Sequence, residues 1–300
     1  MKTDYNIITG ICADGMARVI AVDSTATVQR ALEIHNTTPV ATAALGRTLT
    51  CASLLSSGLK NDTDSVTLSI KGDGPIGGIL AVSDRFGNVR GYCSDPRADL
   101  PLNSEGKLDV GGAVGKGVLT VIKDLGLKEP YSGTTELVSG EIAQDVTYYL
   151  AASEQIPSAV AAGVLVGPDE NAPAGYSVIA AGGYMVQLMP GAPDELADTI
   201  TAAVGAMLPV TTLIGAGATP DDICRDLLRG LDYKEETRGQ CGYRCVCSRE
   251  RMEAGLLSVG KRELRQIMLE DKGAETVCHF CNKIYRFDEN DLWKLLTGKR

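Results

Sequence analysis

The sequence predicts an α+β fold in three parts: a mixed body (1–190), an amphipathic helical linker (191–240) and a small metal-binding unit (241–300). Three observations carry this. Through the body, strand-like and helix-like runs mix without the regular alternation that builds a doubly wound parallel sheet. After Pro190 the texture turns to helical patterns with apolar residues on one side, joined by the Gly- and Pro-rich LPVTTLIGAGATP. Near the end, four of the nine cysteines stand in two short pairs, CVC at 245–247 and CHFC at 278–281.

The body opens with NIITGICADGMARVIAVDS (6–24), where apolar and β-branched residues alternate on both sides of Asp14-Gly15, so a hairpin is expected. Two helices follow, over 25–35 and 39–60, the second with Pro39 at a first-turn position. The stretch 65–93 alternates strand runs with Gly, Pro and Asn turns, as an antiparallel meander does. Further strands are expected at 117–125, 134–140, 158–167 and 176–190, with a helix at 141–155. In the linker, Leu196, Ile200, Ala203, Val204 and Met207 share one helix face, and Ile223, Leu227, Leu228 and Leu231 share another. Such faces must dock on something.

Several motifs resemble chemistry and fail on context. GDGPIG (72–77) matches the dinucleotide fingerprint literally, yet a strand rather than a helix is expected after it, so a tight β-connection is the reading. GGAVGKG (111–117) lacks the spacing and the Ser or Thr of a phosphate loop. With two histidines in the chain, His35 at a helix end and His279 inside a cysteine pair, no His-centred acid/base site is indicated and no enzyme activity is expected. Cys12, Cys51, Cys93 and Cys224 lie in apolar runs and read as buried small hydrophobes.

Charge is divided unevenly. The net value is −9, but 241–300 carries 12 basic against 9 acidic residues, which leaves the first 240 residues strongly acidic. An acidic body repels nucleic acid and anionic lipid. MKTDYNIITG has no apolar export signal and no apolar run is long enough to span a bilayer, so a cytoplasmic protein with reduced thiols is expected.

Two short-spaced pairs suit a tetrahedral Zn²⁺ shell, so Cys245, Cys247, Cys278 and Cys281 are the candidate ligands of one ion. Cys241 is a fifth candidate, and the two tight pairs are the more economical set. The flanking sequence reads as two short helices with Met252, Leu256, Leu257, Leu264, Ile267 and Met268 inside, then a strand at 282–287 and a final helix capped by Asp288. A unit of about sixty residues folds marginally on an apolar core alone, whereas a thiolate zinc site contributes about 10–16 kcal/mol of apparent folding energy. Losing the ion should therefore unfold it. A purely structural zinc site is the commoner use of this chemistry; Cys-x-Cys, whose disulfide closes a strained ring, also suits a reversible switch. Arg244, Arg249, Arg251, Lys261, Arg262 and Arg265 near the site keep a zinc-ribbon nucleic-acid binder as the alternative, and CHFC keeps a thiol oxidoreductase as a third reading.

Nearly the whole chain resembles the redox-regulated heat-shock chaperones, the 33 kDa chaperonins. The resemblance is carried by ALGRTLTCASLL (44–55), IKGDGPIGGILAVSDRFGNVRGYC (70–93), VGGAVGKGVLTVIKDLG (110–126), residues 131–166, and above all CVC with CHFC. It implies an ATP-independent holdase for unfolding client proteins, idle when reduced and zinc-bound. It further implies that oxidation pairs Cys245 with Cys247 and Cys278 with Cys281, that zinc leaves, and that the linker and carboxy-terminal domain loosen in a protein active as a homodimer.

Overall fold

The computed structural model describes residues 4–298, which form two compact units divided between Arg244 and Cys245. The first unit holds two five-stranded antiparallel sheets. One is built from β1 (Ile7–Cys12), β2 (Ala17–Asp23), β8 (Ser158–Pro168), β9 (Tyr176–Leu188) and β10 (Lys234–Gly239), in the order β10-β1-β2-β9-β8. The other combines β3 (Ser65–Gly72), β4 (Gly78–Asp84), β5 (Val89–Cys93), β6 (Gly117–Asp124) and β7 (Tyr131–Glu136), in the order β5-β4-β3-β6-β7. The opening hairpin turns where Asp14 and Gly15 adopt left-handed φ values of 54° and 87°.

Between the sheets runs α2 (Pro39–Ser56), preceded by α1 (Thr25–His35). Apart from Pro39 and Arg47, every residue of α2 is buried, because it touches strands of both sheets. Its composition explains how a helix survives there: Ala, Gly, Ser and Thr keep it thin, and its buried hydroxyls are satisfied locally. Thr48 and Thr50 donate to the carbonyls of Ala44 and Gly46 at 2.9 and 2.8 Å, and Ser53 donates to Gly87 O at 2.7 Å. A Cβ at Gly46 would lie 2.6 Å from Val28 Cγ1 and 2.8 Å from Val164 Cγ2. That glycine lets α2 press against α1 and β8 at once.

The two rejected motifs serve each other. GDGPIG forms the β3–β4 turn, and GGAVGKG forms α3 (Val110–Val114) and the entry to β6. Gly74 N and Ile76 N donate to Val114 O and Ala113 O at 3.0 and 3.1 Å, and Asp73 Oδ1 accepts from Lys116 N at 2.7 Å. A Cβ at Gly72 would lie 1.9 Å from Val114 O. The glycines are there for backbone approach rather than for phosphate.

Residues 191–240 fold differently from the expected all-helical linker. They form α5 (Asp194–Ala206), α6 (Val210–Gly215), α7 (Pro220–Leu227) and then β10, which pairs antiparallel with β1. Leu196, Ile200, Val210, Ile223, Leu227 and Leu228 are buried with Ile8, Val19, Ala21, Tyr184 and Val186 on the face of the first sheet opposite α2. The apolar faces read from the sequence therefore dock on the body itself. Beyond β10 the first unit also keeps 241–244, which the sequence placed with the metal-binding unit. Val89 N donates to Gly242 O and Arg244 N donates to Val89 O, both at 2.9 Å, while Tyr243 Oη donates to Gly91 O at 2.8 Å and lies 3.2 Å from His35 Nε2. His35, at the end of α1, thus contacts this strap.

Strand β7 begins three residues earlier than expected, where Tyr131 pairs with Lys123 of β6, and helix α4 (Ala143–Ala152) begins two residues later, because 137–142 wraps around one carboxylate. Asp145 is buried, and its Oδ1 accepts from the amides of Val138, Ser139 and Gly140 at 2.7, 2.9 and 3.3 Å while Oδ2 accepts from Ile142 at 2.9 Å. Asp145→Ala orphans these amides, and urea unfolding of the first unit is expected to show a loss of about 3 kcal/mol. A loss below about 1 kcal/mol would mean that the loop is held by other contacts.

Candidate metal centre

The second unit joins α8 (Arg249–Ser258), α9 (Lys261–Glu270), β11 (Gly273–Val277), β12 (Ile284–Asp288) and α10 (Glu289–Thr297). The cap at Asp288 follows the sequence reading, accepting from Asp291 N, and Ser248 caps α8 by accepting from Arg251 N. Strand β11 was unforeseen, since GAETV follows a helix without a break in apolar pattern; its partner β12 defines it. The core is small. Leu256, Leu264, Tyr285, Phe287 and Leu292 are its buried members, with Met252, Ile267 and Met268 packed around them. Leu257, expected inside, is exposed, because α8 turns that face away from the hairpin.

Cys245 and Cys247 lie on the extended segment that leads into α8, and Cys278 and Cys281 lie at the tip of the β11–β12 hairpin. The tip is a tight turn: Cys278 N donates to Lys283 O at 3.0 Å, Cys281 N and Asn282 N donate to Cys278 O at 3.2 and 2.8 Å, and Asn282 takes a left-handed φ of 57°. This curls two sulfurs to one side. The CVC segment, extended and one residue shorter in spacing, supplies the other two. All four Sγ atoms lie within 4.8 Å of one another, with Cys245–Cys278 at 3.6 Å and Cys247–Cys281 at 3.5 Å.

A tetrahedral zinc site with Zn–S bonds near 2.3 Å has sulfurs roughly 3.8 Å apart, so these sulfurs fit that shell and leave no open position for catalysis. Burial pushes the thiols of Cys245 and Cys281 up. Burial acts the same way on Cys247, but hydrogen bonds from Tyr285 and from the other three thiols outweigh it and bring Cys247 down to about 7. Tyr285 Oη donates to Cys247 Sγ at 3.1 Å, and that bond holds the phenol up at about 12, so it remains a donor. The phenol was not singled out from the sequence; NKIYRF gives only alternation, and only the fold places that hydroxyl on a sulfur.

Cys241 stays out of the cluster. Its amide and carbonyl bond to the Asn6 side chain at 2.8 and 2.9 Å in the first unit, and burial pushes its thiol up to about 12. Cys12, Cys51, Cys93 and Cys224 are buried, as their apolar surroundings indicated. His279 is outside the four-sulfur group. Of the basic residues behind the nucleic-acid alternative, Arg249 is engaged internally: it donates to Arg286 O at 2.9 Å, pairs with Asp291 at 2.6 Å and stacks 4.3 Å over Phe287. The CHFC pair sits on a hairpin tip, without the helix N-terminus that activates a Cys-x-x-Cys nucleophile.

Tyr285→Phe is expected to weaken Zn²⁺ binding by about tenfold in a chelator competition, since a ligand-orienting hydrogen bond is lost while the ring is kept. Unchanged affinity would assign the phenol a packing role only.

Residues 5–288 match the family model described as Hsp33 protein. The 33 kDa chaperonin of Acetivibrio thermocellus is 48% identical over 293 residues, covering 98% of this chain and 97% of the relative. That of Ruminiclostridium cellulolyticum is 48% identical over 289 residues, covering 96% of each. The crystal structure of the 33 kDa chaperonin, heat shock protein 33 homolog, from Thermotoga maritima matches with a TM-score of 0.87 at 36% identity over 99% of both chains. An α+β body, a four-cysteine cluster at the carboxy-terminal end and likeness along nearly the full length converge, and the chain belongs to the Hsp33 family of heat-shock chaperones.

Proposed function

We propose that this chaperone is an ATP-independent holdase whose activity is set by the oxidation state of Cys245, Cys247, Cys278 and Cys281. The observation that carries the reading is the meeting of four sulfurs from two separate segments over a core of five buried side chains. A bound zinc ion would supply the fastening of those segments and keep the sulfurs as thiolates. Two thiols and one peroxide give one disulfide and two waters, and a sulfur in a disulfide no longer offers a thiolate. Pairing Cys245 with Cys247 and Cys278 with Cys281 dismantles the donor set within each segment, so nothing covalent replaces the link between them. The small core then faces the conformational entropy of the whole unit by itself.

Loss of order from Cys245 onward reaches the strap at 242–244, which is held to β5 by two backbone bonds and to Gly91 and His35 through Tyr243. The next elements back along the chain are β10, paired with β1, and α7 to α5, which cover Val19, Ala21, Tyr184 and Val186. Their loosening uncovers apolar surface for unfolding client proteins. In this reading the protein acts in the cytoplasm, pairs as a homodimer when active, catalyses no reaction, and takes neither nucleic acid nor membrane as partner. Among the described residues no helix is long and apolar enough to cross a membrane.

Peroxide added under mild heat to the zinc-loaded protein is expected to release about one ion per chain and, in step, to suppress aggregation of a denatured client. Release without suppression would leave a structural zinc site and remove the holdase.

A further inference from the structure

The two sheets of the first unit present four edges, and three are guarded. Strand β10 carries Lys234, Glu235, Glu236 and Arg238; β5 is covered by 242–244; β7 is six residues of mostly polar sequence. Strand β8 is different: SAVAAGVLVGP has eleven residues and no charge. Long apolar edges without charge are what native sheets avoid, because their open amides and carbonyls pair with other chains.

The pairing of β8 with β9 identifies the open groups. Leu188 N donates to Pro157 O at 2.9 Å, and Val160 N turns away from β9 to donate to Thr147 Oγ1 at 3.2 Å. By antiparallel alternation the amides and carbonyls of Ala162 and Val164 also face outward. Thr147 of α4 closes the edge at Val160, and beyond it Ala161–Val166 form the floor of a groove of about 640 Å³. Arg47 and Ala143 line it from the α2 and α4 side, Pro209–Thr212 from the α6 side, and Leu102 and Leu108 complete its apolar rim.

We infer that this groove takes an extended apolar segment of an unfolded polypeptide as an added strand along β8. The occupant follows from the donors: outward N–H and C=O groups spaced two residues apart match a peptide backbone in β conformation, and backbone bonds impose no sequence. That suits a protein whose partners share only exposure of apolar chain, and the inference in this respect rests on the holdase reading. The α6 wall belongs to the 191–240 segment, so loosening of that segment widens the groove for the strand's side chains.

The test uses the peroxide-treated full chain and a capped eight-residue peptide alternating valine and threonine. Binding is expected to protect the amides of 161–166 from hydrogen exchange, and N-methylation of alternate peptide residues is expected to weaken it about tenfold through the lost donors. Ala162→Pro removes one outward amide while sparing the bonds to β9, and is expected to weaken binding and client protection to a similar degree, about tenfold. Equal binding of the methylated peptide, or protection elsewhere, overturns the assignment even if the variant fails to fold. Should wild-type protein suppress aggregation and Ala162→Pro suppress it equally, the groove is excluded while the holdase reading stands; failure of the oxidised wild type itself strikes that reading instead.

Discussion

The approach of four sulfurs to within 4.8 Å is the constraint on which the carboxy-terminal unit depends. The CVC segment has no regular structure, and the hairpin tip is ordered by three backbone bonds among 278–283. The sulfur contacts Cys245–Cys278 and Cys247–Cys281 cross from one segment to the other. A fastener of this kind is chemically addressable in a way that a hydrophobic core is not, because thiolates oxidise and methyl groups do not.

The body shows the opposite economy. Helix α2 is enclosed by two sheets, and its hydroxyls find partners within a turn or on the β4–β5 loop. Four cysteines of this unit, Cys12, Cys51, Cys93 and Cys224, are buried, and desolvation raises their thiols, which leaves them poor nucleophiles. Reactive and inert sulfur are thereby sorted by environment within one chain. Cys247, brought down to about 7 by Tyr285 and its neighbours, stands at the reactive end.

Much of this was legible from residues alone. The spacing of CVC and CHFC named the four cysteines that the fold brings together, and periodicity gave α1 with its observed bounds. What escaped was set by partners distant in sequence. Strand β10 is KEETRG, whose charges conceal a strand because they guard an edge; only β1, more than two hundred residues earlier in the chain, makes it one. Strand β11 is defined by β12 in the same way. The late start of α4 follows from four amides converging on Asp145, a geometry that propensity does not encode. Leu257 was misplaced because a short helix has a wide apolar face and only packing decides which leucine turns inward.

The strap at 241–244 connects these two economies. It leaves the first sheet at β10, lies along β5 at the edge of the second, and reaches Cys245 one residue later. Two backbone bonds to β5, the Asn6 side chain at Cys241 and the Tyr243 hydroxyl hold it, a few kcal/mol at the usual net value of about 1 kcal/mol per hydrogen bond. The helices behind it are held by an apolar face against the first sheet. Stability therefore falls in steps along the chain, from the enclosed α2, through a docked helical layer, to a strap and a sulfur cluster. In the proposed reading, unfolding that begins at the cluster meets the strap first, and the surface it uncovers next is the apolar one that α5 and α7 cover.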